Sequence, residues 1–125
     1  MAGQKIVVVR TTTNFEKNLE SIESFWTEND YPRGFEKLLD ELSETVIPNL
    51  ERFPTMGRPF LARKTESVEE VARLEKVAAR LLKIDGKGEL REYVMDDYLV
   101  LYAVMKSAVY LLAIKHHKQL GFDFV

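Results

Sequence analysis

A chain of 125 residues, 46% hydrophobic and 30% charged, has the balance of a globular protein and the length for one core rather than two. Its net charge of −2 excludes the strong basic excess of a surface dedicated to nucleic acid, and the absence of cysteine excludes a disulfide framework or a thiolate metal site. No apolar run reaches the roughly 18 residues of a membrane span, and the N-terminus lacks a basic-then-apolar leader, so the expectation is a cytoplasmic protein with no membrane partner.

Charge is uneven along the chain. Up to Met56 there are six basic and ten acidic residues; from Gly57 onward there are twelve and ten. The first element is a β-branched run, Lys5 to Arg10 (KIVVVR), which predicts a strand. Thr13-Asn14-Phe15-Glu16 fits a capping box, and Phe15, Leu19, Ile22 and Trp26 then recur at helical spacing to about Glu28. Asn29-Asp30-Tyr31-Pro32 breaks this helix, and Pro32 suits the first turn of the next. Phe35, Leu38, Leu39, Leu42, Val46 and Leu50 form the second apolar stripe. Pro48 falls inside it, which predicts a kink or a short new helix at that point.

Phe53 to Pro59 (FPTMGRP) reads as a turn-rich connector. A second capping box, Ser67-Val68-Glu69-Glu70, opens a helix through about Leu82, with Val68, Val71, Leu74, Ala78 and Leu81 along one face. Asp85-Gly86-Lys87-Gly88 ends it. From Leu90 to Gln119, three β-type runs are separated only by Asp96-Asp97 and Lys106-Ser107. Such short breaks leave no room for crossover helices, so these runs predict an antiparallel three-stranded meander. The order gives an α+β fold with the helices on one face of a sheet, as a single domain over residues 1–125.

The chemistry-bearing candidates lie at the ends of the meander. His116 and His117 are the only histidines, and adjacent strand residues point to opposite faces, so one at most faces the helices. An imidazole there suits a general acid or base; the plainer reading is a solvated strand end. Two histidines without a carboxylate at ligand spacing are poor evidence for a metal. Arg91 on the first meander strand and Arg58 in the connector suit a phosphate or carboxylate clamp, or else pair internally with Glu92 or Asp96. Tyr93, Tyr98, Tyr102 and Tyr110 stud strands so apolar that core packing explains them better than base stacking. No GxxxxGK, GxGxxG or GxSxG motif occurs, so no nucleotide cofactor, and no other cofactor, is expected.

In their order, KIVVVR, the two-helix hairpin, FPTMGRPF, LREYVM, YLVLYAVM and AVYLLAIKHHKQ resemble the RelE/ParE superfamily of type II toxin–antitoxin toxins, with the ParE-like, plasmid-stabilising branch favoured. The resemblance covers residues 4–60 and 89–122, and relative to the compact family pattern the segment at about 63–88, with its helix at 67–82, is an insertion. It implies a growth-arrest toxin with that fold, silenced by a cognate antitoxin that folds onto its helices and sheet. ParE-like members poison DNA gyrase without a known hydrolytic site. RelE-like members cleave mRNA on the ribosome with basic residues and often a C-terminal His or Tyr. The charge of −2 favours the first class, since a ribosome-bound nuclease needs a positive field. In the nuclease alternative, Arg58 and Arg91 would stabilise phosphate charge while His116 or His117 protonates the leaving oxygen. A third reading is a toxin-fold protein that binds a partner and is not toxic.

Overall fold

In the computed structural model, which describes residues 6–60, 72–73, 75–76, 79–80, 83–84, 88–119 and 121–124, a five-stranded mixed sheet carries an α-helical hairpin. β1 (Val8–Thr11) leads into α1 (Thr13–Glu28), followed by α2 (Arg33–Glu41), a π-helical turn (Leu42–Val46) and α3 (Ile47–Arg52). β2 (Arg58–Pro59), β3 (Glu89–Val94), β4 (Tyr98–Val104) and β5 (Ala108–His116) complete the sheet, in the order β1-β5-β4-β3-β2. β1 runs parallel to β5 and the other pairs are antiparallel. The α+β architecture is the one the element order implies.

The joint between β1 and α1 is set one residue earlier than the sequence suggests. Thr12, not Thr13, is the N-cap, its hydroxyl accepting the Phe15 N–H at 3.2 Å. Glu16 does not reach back to the backbone; its carboxylate accepts the Thr11 hydroxyl at 2.8 Å. α1 ends at Glu28 as expected, and Asp30, with φ of 55°, turns the chain through the left-handed region that follows many helix ends.

In the second stripe, Leu38, Leu42, Val46 and Leu50 are buried at a strict spacing of four, whereas Leu39 is 40% exposed and does not belong to the core. An α-helix repeats every ~3.6 residues, so a four-residue spacing drifts around a straight one. The π turn over Leu42–Val46 takes up that drift and keeps all four side chains against the sheet. It also lies directly before Pro48, whose ring would crowd the carbonyl four residues back in a continuous α-helix. The expected new helix begins at Ile47, with proline in its first turn.

Both meander turns are as short as their sequence breaks. The Met95 N–H bonds to the Tyr98 carbonyl at 2.8 Å, and the Met105 N–H to that of Ala108 at 2.9 Å. Arg58–Pro59, read from sequence as connector, is an edge strand on β3, an allowed place for a proline because its missing N–H costs an edge strand little. The expected helix at 67–82 falls largely outside the described residues; those described between 72 and 84 are helical and exposed.

Tyr98, Val100, Tyr102, Val109, Leu111 and Ile114 face the helices and form the main core with Phe15, Leu38, Leu42, Val46 and Leu50. Leu99, Leu101, Ala103, Leu112 and Ala113 face the other way and are covered by Phe122, with Phe60 and Phe124 beside it. The sheet therefore has a second, smaller core that helix periodicity alone does not reveal.

One irregularity decides which side chains reach which core. Tyr102 pairs with Leu111 and Leu101 with Ala113, so Leu112 has no partner on β4. Leu112 and Ala113 both face the second core, and the alternation resumes out of phase with Ile114 and His116 toward the helices. A bulge of this kind strands backbone groups. Here α1 supplies their partners: Thr12 Oγ1 donates to the Leu111 carbonyl at 2.9 Å, Asn14 Nδ2 to that of Leu112 at 2.9 Å, and Asn18 Oδ1 accepts the Ile114 N–H at 3.0 Å. The Asn14 and Asn18 amides also donate to the Asp123 carbonyl, tying the C-terminal segment to the same helix.

Glu41, at the end of α2, is pushed above the ordinary carboxylate range, first by burial and then by Asp96 and Asp97 at the β3–β4 turn. A carboxyl raised in the folded state binds its proton more tightly there, so its contribution to stability is lost as pH rises through the raised value. Two outcomes are expected in urea denaturation. Asn18→Ala leaves the buried Ile114 N–H unpaired and lowers stability by about 1–3 kcal/mol. Glu41→Gln raises the unfolding midpoint at pH 7, and the gain disappears once the pH falls below the ordinary carboxylate range.

Candidate functional site

The bulge delivers His116 to a groove between α1 and the C-terminal end of β5. Its volume is about 570 Å³, and its floor and walls come from Ile22, Phe25 and Trp26 on α1 with Tyr98 and Ile114 on the sheet. Ser21, His116, Lys118, Gln119 and Asp123 supply its polar groups. Trp26 Nε1–H donates to the Tyr98 hydroxyl at 3.1 Å, and the Tyr98 ring meets the His116 ring edge-to-face with centroids 5.3 Å apart. Phe25 stands edge-on to Trp26 at 5.2 Å and is 54% exposed. The hairpin is close-packed behind this wall: a Cβ on Gly34 would sit 2.4 Å from Trp26 Cδ2, so only glycine lets α2 approach the indole. The result is an apolar groove with a few polar groups, the form of a site for an aromatic or aliphatic anchor.

The two histidines have different surroundings. His116 closes a turn: Gln119 N–H donates to its carbonyl, its own N–H donates to Gln119 Oε1 at 3.0 Å, and its Nδ1 accepts the Lys118 N–H at 3.1 Å. His117 lies beyond the strand, where Nε2 contacts the Met95 carbonyl at 2.9 Å and its N–H bonds to the Asp97 carbonyl. A carbonyl only accepts, so Nε2 of His117 carries the proton.

The arginines lie elsewhere. Arg58 Nε is 3.1 Å from the carboxylate of buried Glu92, on the face turned away from the helices. Arg91 pairs with Tyr102 in the sheet and so sits on the helix-covered face, where it bonds to Glu89 at 2.9 Å and to the Gly57 carbonyl. Arg91 and His116 lie on strands flanking β4, opposite Tyr102 and Tyr98 respectively, which separates them by about 13 Å along the strands and about 9.5 Å across. The fold thus places the four candidates in separate settings. Arg58 and Arg91 point to opposite faces, each engaged with a carboxylate.

Near the arginines the organising group is Tyr102. Its buried hydroxyl accepts the Gly57 N–H and donates to the Pro54 carbonyl, both at 2.9 Å, fixing the connector to the sheet. Burial pushes this phenol above its ordinary value, outweighing the Gly57 N–H and the Arg91 charge, so it remains a donor. A Cβ on Gly57 would lie 2.5 Å from both the Glu92 carbonyl oxygen and the Tyr102 hydroxyl.

The model of the family described as ParE toxin of type II toxin-antitoxin system, parDE, matches residues 9–121, from β1 past the His116 turn. The chain belongs to the ParE toxin family. It is the toxin of a type II toxin–antitoxin system, and the family implies an antitoxin as its partner. No match is found among curated proteins. Among the described residues no helix of this ParE-family toxin is long and apolar enough to cross a membrane, and no group of three or more His, Asp or Glu is placed to hold a metal ion.

Sequence reasoning placed Trp26 on the core stripe and the tyrosines in the core. It missed the groove, because the bulge that aims His116 toward Tyr98 leaves no mark in the hydrophobic pattern. One signal was available: Phe25 lies off the stripe of Phe15, Leu19, Ile22 and Trp26, and an aromatic beside a core position marks an exposed apolar patch. For the connector, Tyr102→Phe leaves the Gly57 N–H and Pro54 carbonyl unpaired and costs about 1–3 kcal/mol. Gly57→Ala costs at least as much, because a backbone carbonyl must move. Equilibrium denaturation of the two variants measures both.

Proposed function

We propose that this toxin arrests growth by binding DNA gyrase rather than by cutting mRNA, and that its antitoxin seats an apolar face in the groove between α1 and β5. One observation carries the choice. A phosphodiester-cleaving site needs cationic donors converging with an acid or base on one phosphate. The arginines here are engaged with Glu89 and Glu92 in the β2–β3 region, away from the histidine-bearing groove. The net charge of −2 also gives little pull toward ribosomal RNA. A groove with an apolar floor and a partly exposed aromatic wall suits an amphipathic helix or strand. On this reading the toxin works in the cytoplasm, and a plasmid carrying the module is retained because loss of the antitoxin frees the toxin.

The test is a supercoiling assay with purified toxin and gyrase. Inhibition relieved by stoichiometric antitoxin is expected, with DNA-damage signalling after induction and translation initially intact. Untouched gyrase at high toxin excess overturns the proposal. New mRNA ends that vanish in a His116→Ala, His117→Ala double variant would favour the ribosome-dependent nuclease instead. Harmless overexpression without antitoxin would identify a binding protein that is not toxic. For the groove, Phe25→Ser is expected to leave the unfolding midpoint nearly unchanged while weakening antitoxin binding about ten-fold or more by calorimetry.

A further inference from the structure

The wall of the groove contains a bond that exists in only one protonation state. His116 Nδ1 accepts the backbone N–H of Lys118 at 3.1 Å. A backbone N–H only donates, so Nδ1 must be bare and the ring neutral, with its proton on Nε2. When an imidazole takes up a second proton, both nitrogens become donors. Nδ1–H would then face the Lys118 N–H, and two donors cannot share that contact.

We propose that His116 is a proton-operated latch on the groove: the neutral ring holds the 116–119 turn closed, and protonation releases it. The bond to Lys118 joins two others in the same turn, from Gln119 N–H to the His116 carbonyl and from His116 N–H to Gln119 Oε1. Lys115 Nζ ties the Gln119 carbonyl from the other side at 2.9 Å. Releasing Nδ1 therefore loosens a small closed network, and His116, Lys118 and Gln119 from that network all line the groove.

The surroundings of the ring set what the added charge meets. From β4 comes Tyr98, whose ring is edge-to-face with the imidazole and whose hydroxyl accepts from Trp26. The turn itself contributes the cation of Lys118, and the C-terminal segment contributes Asp123 across the groove. α1 lines the groove with Asn18, Ser21, Ile22, Phe25 and Trp26, none of which titrates. Loss of the hydrogen bond from the Lys118 N–H is what acts to open the turn. His117 is not part of the latch, because its Nε2 proton is engaged by the Met95 carbonyl and a second proton would leave that bond in place.

For a groove that receives the antitoxin, the latch makes occupancy pH-dependent, with the closed wall present above the transition and lost below it; this consequence rests on the groove reading above. The latch itself is tested on the toxin alone, so its result is separate from any test of antitoxin or gyrase binding. The His116 ring and the Lys118 amide are followed together by NMR between pH 8 and pH 5. The Lys118 amide resonance is expected to move with the same midpoint as the His116 ring. Its exchange protection, corrected for the intrinsic pH dependence, should fall about ten-fold, the order expected from losing one hydrogen bond. Trp26, the only tryptophan, gives a second signal: its fluorescence should change over the same range in the wild type and in His117→Gln, and stay flat in His116→Gln. A Lys118 amide that ignores the His116 titration overturns the proposal on the wild-type protein, whatever the variants do. A fluorescence transition that persists in His116→Gln also overturns it.

Discussion

The unpaired residue at Leu112 sets the facing of everything after it on β5, and the polar side chains of α1 make that residue tolerable. Without the bulge, the alternation begun by Val109 and Leu111 would continue through Ala113 and Lys115, turning a lysine into the main core. With it, Ile114 packs under α1, His116 reaches the groove, and buried Lys115 points to the second core, where its amine lies 5.5 Å from the Phe122 ring. Thr12, Asn14 and Asn18 act at once as helix residues and as hydrogen-bond partners for the strand. This dual role fixes both the rotation and the height of α1 on the sheet. The same two asparagines hold the Asp123 carbonyl, so helix, bulge and C-terminal segment are positioned by one set of amides.

The groove and the core therefore share a cause. Its deep side is core in the ordinary sense, with Ile114 and Tyr98 buried. Its outer side depends on Phe25 and Trp26, which the tight turn through Asp30 and the close approach of Gly34 hold near the sheet. A surface of this kind is formed before any partner arrives, which lowers the ordering cost of binding.

Periodicity and turn chemistry made much of this architecture legible. The stripe of Phe15, Leu19, Ile22 and Trp26 gave α1 to its last residue, and the breaks at Asp96-Asp97 and Lys106-Ser107 gave two tight turns. Pro48 marked the start of α3. What stayed hidden were features that obey no period: the bulge at Leu112, the π turn before Pro48, and the second core under Phe122. The exposed Leu39 illustrates the limit, since a stripe read at α-helical spacing admits it while the π turn selects the four-residue series instead. For the arginines, the reading that they pair internally describes the bonds of Arg58 to Glu92 and Arg91 to Glu89. Which carboxylate each would take depends on sheet register, and sequence alone does not supply that.

The pairing of β2 with β3 has a consequence for how such a chain can vary. Pro59 stands opposite Arg91, and the Phe60 N–H bonds to the Leu90 carbonyl at 3.0 Å, so the chain leaves the sheet and re-enters it at neighbouring points on one ladder. The described residues on either side of this connection, Phe60 and Leu90, are thus held together on that ladder, with Tyr102 and Gly57 securing the exit. Closing a flexible connection between two clamped ends costs little more as it lengthens, on the order of 0.6 kcal/mol for each doubling. The β2–β3 ladder can thus hold its register across connections of different length.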